Sequence, residues 1–247
     1  MFLRVTVLSF LALAGAACTT TKRHASQDFK PPQGAYDVIV MRPDIAVSLL
    51  TAGGTLEPRE DWTNTAREHV LHAVRKQQLA QGGTTRIATT REEAGGTPEV
   101  VLELERLHEA VGQSIQLHKY VPYASLPTKK DRFDWTLGDL AVSYGQSSGF
   151  DYALFLFARD SFASGGRAAV QALGFLGCVV GVCMIQSGGI QQGFASLVDL
   201  KTGKVVWFNY LVSEVGDIRT AQGADAMVKK LLSSMHEEPA PKKKKKA

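Results

Sequence analysis

The string Gly145-Gln146-Ser147-Ser148-Gly149 fits the Gly-x-Ser-x-Gly pattern, in which a serine on a sharp strand-to-helix turn becomes a nucleophile. Here a helical pattern precedes it and the apolar run Asp151–Phe157 follows, the inverse of that context. A glycine loop that ends a helix accounts for it. His108-Glu109 opens like a zinc-protease motif, which needs a second histidine one helical turn on, and that position is Gly112. Glu68, His69 and His72 share part of a helix, a spacing that also suits an exposed polar face. The doublets Gly53-Gly54, Gly82-Gly83 and Gly95-Gly96 read as turns rather than phosphate cradles. Asp160, Ser161, Ser164, Gly165, Gly166 and Arg167 form a polar cluster that suits either a groove or a solvated loop. The sequence calls for no catalytic residue, no metal and no cofactor.

The cysteines carry a different chemistry. Met1–Arg4 is weakly basic, Val5–Leu13 is apolar, and Ala14, Gly15, Ala16 and Ala17 lead to Cys18. This is the anatomy of a secretory signal over residues 1–17. It resembles the bacterial lipoprotein signal, in which the cysteine is acylated and becomes the mature N-terminus, with Gly15 where leucine is usual. Thr19 after the cysteine resembles the outer-membrane sorting pattern. Residues 18–34, polar and carrying Pro31-Pro32, then read as the lipidated cysteine and a tether. Cys178 and Cys183 remain, in a compartment that permits disulfides. They either bridge across a turn at Val179–Val182 or pack as two apolar thiols.

The elements that position these residues follow from periodicity. With 45% apolar and 21% charged residues the body, residues 35–236, is expected to be one globular α/β domain: a mixed sheet with a C-terminal hairpin and helices packed on it. Tyr36–Met41 and Ile45–Leu50 read as strands, Thr85–Thr89 as a short one, and Asp151–Phe157 as a buried one. The hairpin is Phe194–Leu200 and Val205–Val212 around Lys201, Thr202 and Gly203. Val205, Trp207 and Leu211 are expected on one face, and Val206, Phe208 and Tyr210 on the other. A helix is expected from Trp62, capped by Asp61 or Thr63 and stopped by Gly82-Gly83. A second should run from Glu99 to Lys119 with the stripe Val100, Leu104, Leu107, Val111 and Ile115. Others are expected over Trp135–Tyr144 and Thr220–Met235.

Ala168–Ile190 carries no charge and is rich in glycine. Three structures suit it: a membrane-spanning helix, a buried helical or irregular hairpin, or a surface that meets a membrane or partner. The contact set would be Gly174, Phe175, Leu176, Gly177, Val179, Val180, Gly181 and Val182. Residues 237–247 form a charged tail expected to be disordered. Its lysines, Lys242, Lys243, Lys244, Lys245 and Lys246, suit an anionic envelope surface. Without those five, the net charge of +4 falls to −1, which argues against nucleic acid as a partner.

In element order the body resembles bacterial envelope lipoproteins with the α/β fold of the amino-terminal domain of the Tol-system translocation protein. The curli secretion lipoprotein belongs to that group. The matching stretches are YDVIVM as first strand, FDYALFLFARD as central strand, and VDLKTGKVVWFN (with Asp199, Thr202, Gly203 and Trp207) before the last helix. The resemblance implies a non-enzymatic accessory or binding component of an envelope assembly, secretion or transport system. It would be anchored in the outer membrane through Cys18, face the periplasm, and bind envelope proteins or further copies of itself. The rivals are a self-assembling channel component that inserts Ala168–Ile190, and a serine hydrolase using Ser147.

Overall fold

A computed structural model describes residues 20–25, 36–79, 84–129, 132–179, 189–212, 216–233 and 235. The sheet grows around β6 (Tyr152–Ala163), whose residues alternate between two apolar environments. Leu154, Leu156 and Ala158 face one layer, and Ala153, Phe155 and Phe157 the other. A strand apolar on both faces must be covered on both. Along one side of β6 run β2 (Asp37–Val40) and then β3 (Asp44–Leu50), both parallel to it. Val38 lies opposite Tyr152 but Asp44 opposite Phe157, so one extra residue is taken up around Arg42-Pro43. Proline cannot donate to a ladder, and the break falls where it costs no pairing.

Outside β2 lies parallel β5 (Thr84–Ile87), and outside β3 lies antiparallel β4 (Leu56–Pro58). On the other side of β6 the sheet continues through β7 (Gln192–Asp199) and β8 (Val205–Val212) to β1 (Thr20–Ala25), all antiparallel. Helices α1 (Glu60–Leu79) and α5 (Ala221–Leu231) cover one face, and α2 (Pro98–Tyr120) and α3 (Gly138–Ser148) the other. The expected mixed α/β domain is thus a three-layer sandwich.

Several local expectations shift for identifiable reasons. Helix α1 begins at Glu60, because the Thr63 hydroxyl accepts the Val47 N–H at 3.0 Å and ties helix to strand instead of capping. In α2 the buried stripe is Val101, Leu104, His108, Gly112 and Ile115; Val100, Leu107 and Val111 are only partly buried. The helix rolls so that Gly112 meets Phe194, where a Cβ would lie 2.1 Å from Phe194 Cε2. Trp135 and Thr136 are extended rather than helical: the Val205 N–H donates to the Trp135 carbonyl at 2.9 Å. Helix α3 therefore starts at Gly138 and runs through Ser147 to Gly149, whose φ of 80° closes it.

The hairpin forms as expected, with Asp199 Oδ1 accepting the N–H groups of Lys201 (2.8 Å) and Thr202 (3.2 Å). Gly203 has φ 68°, and a Cβ there would meet the Gly138 carbonyl at 2.5 Å, so the turn needs glycine on two counts. The expected phase of β8 is corrected near its start. Val198 pairs with Val205 but Leu197 with Trp207, leaving Val206 as a bulge. Val206 and Trp207 both join the α1/α5 layer, while Val205 joins Phe208 on the other.

The polar stretch expected to be a tether is also corrected in part. Thr20–Ala25 is β1, paired from Thr20 opposite Val212 to Ala25 opposite Trp207. Without it, β8 would leave a row of unpaired backbone groups at the edge. Helix α4 (Gly165–Val179) fills the first part of the charge-free segment. Leu173 and Leu176 are exposed, so the buried-hairpin alternative does not describe this helix. Among the described residues no helix is long and apolar enough to cross a membrane.

Candidate functional site

The structure disperses the constellations that hint at catalysis. Ser147 sits in the last turn of α3 and donates to the Tyr144 carbonyl at 3.0 Å, as a helix-end serine does. His108 and Glu109 leave α2 in different directions. His108 enters the core, where its Nε2 lies 2.8 Å from Ser196 Oγ and its ring stacks on Phe155 at 4.4 Å. Glu109 reaches Arg159 at 3.3 Å on the outside. A second histidine at position 112 would collide with Phe194. Burial pushes the imidazole down to about 3, so it is neutral at physiological pH. A neutral histidine paired with serine resembles part of a nucleophile–base pair, but both are core residues, 4% and 1% exposed. The pair is a buried hydrogen bond joining helix to sheet. Among the described residues no three of His, Cys, Asp and Glu could hold a metal together.

What the fold does gather is at one end of the sheet. The last residues of β6, Asp160–Ala163, extend past the start of β7, whose first pair is Gln192 with Arg159. They run on beside β3 until Ala163 lies opposite Leu50, and Leu50 in turn opposite Leu56 of β4. Beside this extension is a cleft of about 470 Å³ lined by Leu50, Leu56, Ser161, Arg167, Gly189 and Ile190 among others. The Ser161 hydroxyl accepts the Ile190 N–H at 3.0 Å and holds the chain that returns to β7. Arg159, at the mouth, lies 3.9 Å from the Phe157 ring and is bidentate to Asp44 at 2.9 and 3.1 Å.

On the opposite face of β6 the same end carries a polar staple. Gln191 Nε2 donates to Asp160 Oδ2 and to the Gly216 carbonyl, both at 2.8 Å. Burial raises the Asp160 carboxyl to about 7, against the opposing pull of the Gln191 hydrogen bond. Next to it Arg219 is held on Asp217 at 2.7 Å and lies over Phe162 (3.7 Å) and Trp62 (4.3 Å). The Arg219 hydrogen bond holds the Asp217 carboxyl below its ordinary value. Arg59 covers the same Trp62 ring at 4.4 Å. These contacts lock the loop before α5 onto the sheet. They bind and position, and they bring together no nucleophile with a base.

The groove option has a geometric basis for Ser161 and Arg167, while the Asp160 carboxyl is held in the staple on the other face; the residues the option lacked were Leu50, Leu56, Gly189 and Ile190. Register brings these together, and no local motif marks them. The contact set Gly174, Phe175, Leu176, Gly177 and Val179 lies on α4, as does Cys178. Val180, Gly181, Val182, Cys183, Cys18 and Lys242–Lys246 lie outside the described residues.

No family model matches the chain, and no curated protein matches it in sequence. Among solved structures it is similar to the PelC dodecamer from Paraburkholderia phytofirmans, at 15% identity and TM-score 0.38, over 90% of this chain and 99% of that one. It is also similar to the LpoB C-terminal domain from Salmonella enterica, at 15% identity and TM-score 0.25, over 75% of this chain and 84% of that one. At these scores the likenesses establish neither family nor function.

Proposed function

We propose that the chain is a lipid-anchored, non-enzymatic component of the bacterial outer membrane that faces the periplasm. In this reading it serves an assembly, secretion or transport system by binding partner proteins. The observation that carries the reading is the position of the first described strand. Strand β1 begins at Thr20, two residues after the cysteine of a lipoprotein-like signal, and pairs along β8 to Ala25. An acyl chain on Cys18 would therefore hold a folded sheet against the bilayer. The sites in the described body support binding rather than turnover, since its buried polar groups staple elements to one another.

Fractionation of cells that make the parent chain or Cys18→Ser tests the anchor. The parent is expected in the outer-membrane fraction and Cys18→Ser in the soluble periplasm. Equal membrane retention of both would overturn the reading.

A further inference from the structure

Five of the seven exposed large apolar side chains among the described residues gather in one region; the other two, Leu117 and Tyr123, lie near the end of α2 and just beyond it. Leu56, Leu173, Leu176, Ile190 and Val212 are 56%, 68%, 62%, 58% and 38% exposed. All five belong to elements that meet at one end of the sheet. Val212 is the last residue of β8, opposite both Thr20 and Gln192, and Ile190 lies two residues before Gln192. Leu56 pairs with Leu50, which pairs with Ala163 at the end of β6, and α4 leaves directly from there. The Ser164 N–H donates to the Leu50 carbonyl at 2.9 Å and starts the helix at that edge.

Thr20 is at this same end. Two residues reach at most about 7 Å, so an anchor on Cys18 cannot stand far from it. The outer face of α4 is suited to what that anchor would bring near. Ala168, Ala169, Ala172, Leu173 and Leu176 are exposed, whereas the polar Arg167 and Gln171 are among its half-buried residues. Over its 15 described residues the helix is about 22 Å long and carries its exposed apolar side chains along one face. It suits a helix lying in the interface with its apolar side among the acyl chains.

We infer that this end of the sheet, with α4 lying flat, docks on the phospholipid bilayer that holds the Cys18 lipid. The inference rests on the anchor reading and goes past it by fixing orientation. A lipid surface covers an apolar face of this kind without matching its shape, and the tether keeps that surface always within reach. Arg167, at the start of α4, is then at headgroup height.

The test uses full-length acylated protein in phosphatidylethanolamine/phosphatidylglycerol vesicles whose lipids carry bromine high on the acyl chain. Leu173→Trp puts a reporter on α4. His72→Trp puts one on the exposed side of α1, which runs away from this end after Thr63 meets Val47. Bromine should quench the reporter at 173 about twofold or more beyond the one at 72, each read as the increment over the parent tryptophans. Equal quenching in acylated protein would overturn the docking. The mass of the N-terminal peptide reads the anchor separately, so an unmodified Cys18 defeats that reading alone. In that case vesicle flotation of the chain decides the docking: Leu173→Glu/Leu176→Glu should lower it several-fold, and unchanged flotation would overturn it.

Discussion

At Asp160 the fold accepts a protonated carboxyl more readily than a charged one, because burial raises its pKa to about 7. An unfolded aspartate titrates near about 3.9. Between roughly pH 4 and pH 7 the folded chain holds a proton that the unfolded chain has released, so stability falls as pH rises through that window. Asp160→Asn keeps an oxygen for Gln191 and removes the titration. It should melt about 3 °C or more above the parent at pH 8 and close to it near pH 4; an equal gap at both would refute the linkage. His108 pulls the other way. Its folded pKa of about 3 is below the ordinary value of 6.5, so stability is lost as pH falls between those values. Ser196→Ala strips a buried imidazole of a partner and should cost about 1–3 kcal/mol in denaturant unfolding. His108→Phe with Ser196→Ala should recover most of that and flatten the acid limb, and a double variant as acid-sensitive as the parent would contradict this.

Among elements, α2 sits close on the sheet at Gly112. Gly→Ala inside a helix ordinarily helps by about 1 kcal/mol. At Gly112 the new Cβ would lie 2.1 Å from Phe194, a ring stacked on Phe157 at 4.5 Å and Phe208 at 5.5 Å. A ring hemmed in this way cannot yield, and overpacking wins. Gly112→Ala should lose about 1–3 kcal/mol net, and a rise in melting temperature would show that α2 does not sit this close. A similar junction operates at the other face, where Asn209 Nδ2 donates to the Lys230 and Leu231 carbonyls at 3.0 and 2.8 Å. The Lys230 carbonyl also accepts the Ser233 hydroxyl at 2.7 Å, so a strand side chain and the residues closing the helix share the carbonyls at this helix end.

For the whole molecule the question is what covers the apolar end and what the remaining surfaces bind. Native particles extracted from envelopes in mild detergent and sized by light scattering answer part of it. A monomer or a small complex with other envelope proteins is expected. A large ring of identical subunits would favour the channel rival and assign α4 to subunit contacts or pore. The docking orientation adds a constraint, since it leaves α1, α2 and the β5 edge as the surfaces free to meet a partner.

The α/β class, the hairpin, and every helix of the two covering layers are legible in the chain itself. Period-2 and period-3.6 patterns, Thr97-Pro98 before α2, Gly149 after α3 and Thr220 before α5 are local signals with local causes. What local pattern misses is what depends on a distant neighbour. The bulge at Val206 is set by pairing with Leu197 and Val198, and it flips a face that alternation alone places wrongly. The roll of α2 is decided by Phe194, 82 residues away. Strand β1 is invisible as a strand because its polar residues carry no apolar alternation and it forms only against the open edge of β8. The cleft and the apolar end have no motif at all, since register is what brings Leu50, Leu56, Ser161, Ile190 and Val212 together. Composition and periodicity determine which elements form, because each is a property of consecutive residues. Which ends of those elements share a surface is decided by strand pairing across the whole chain, and so only by the tertiary structure.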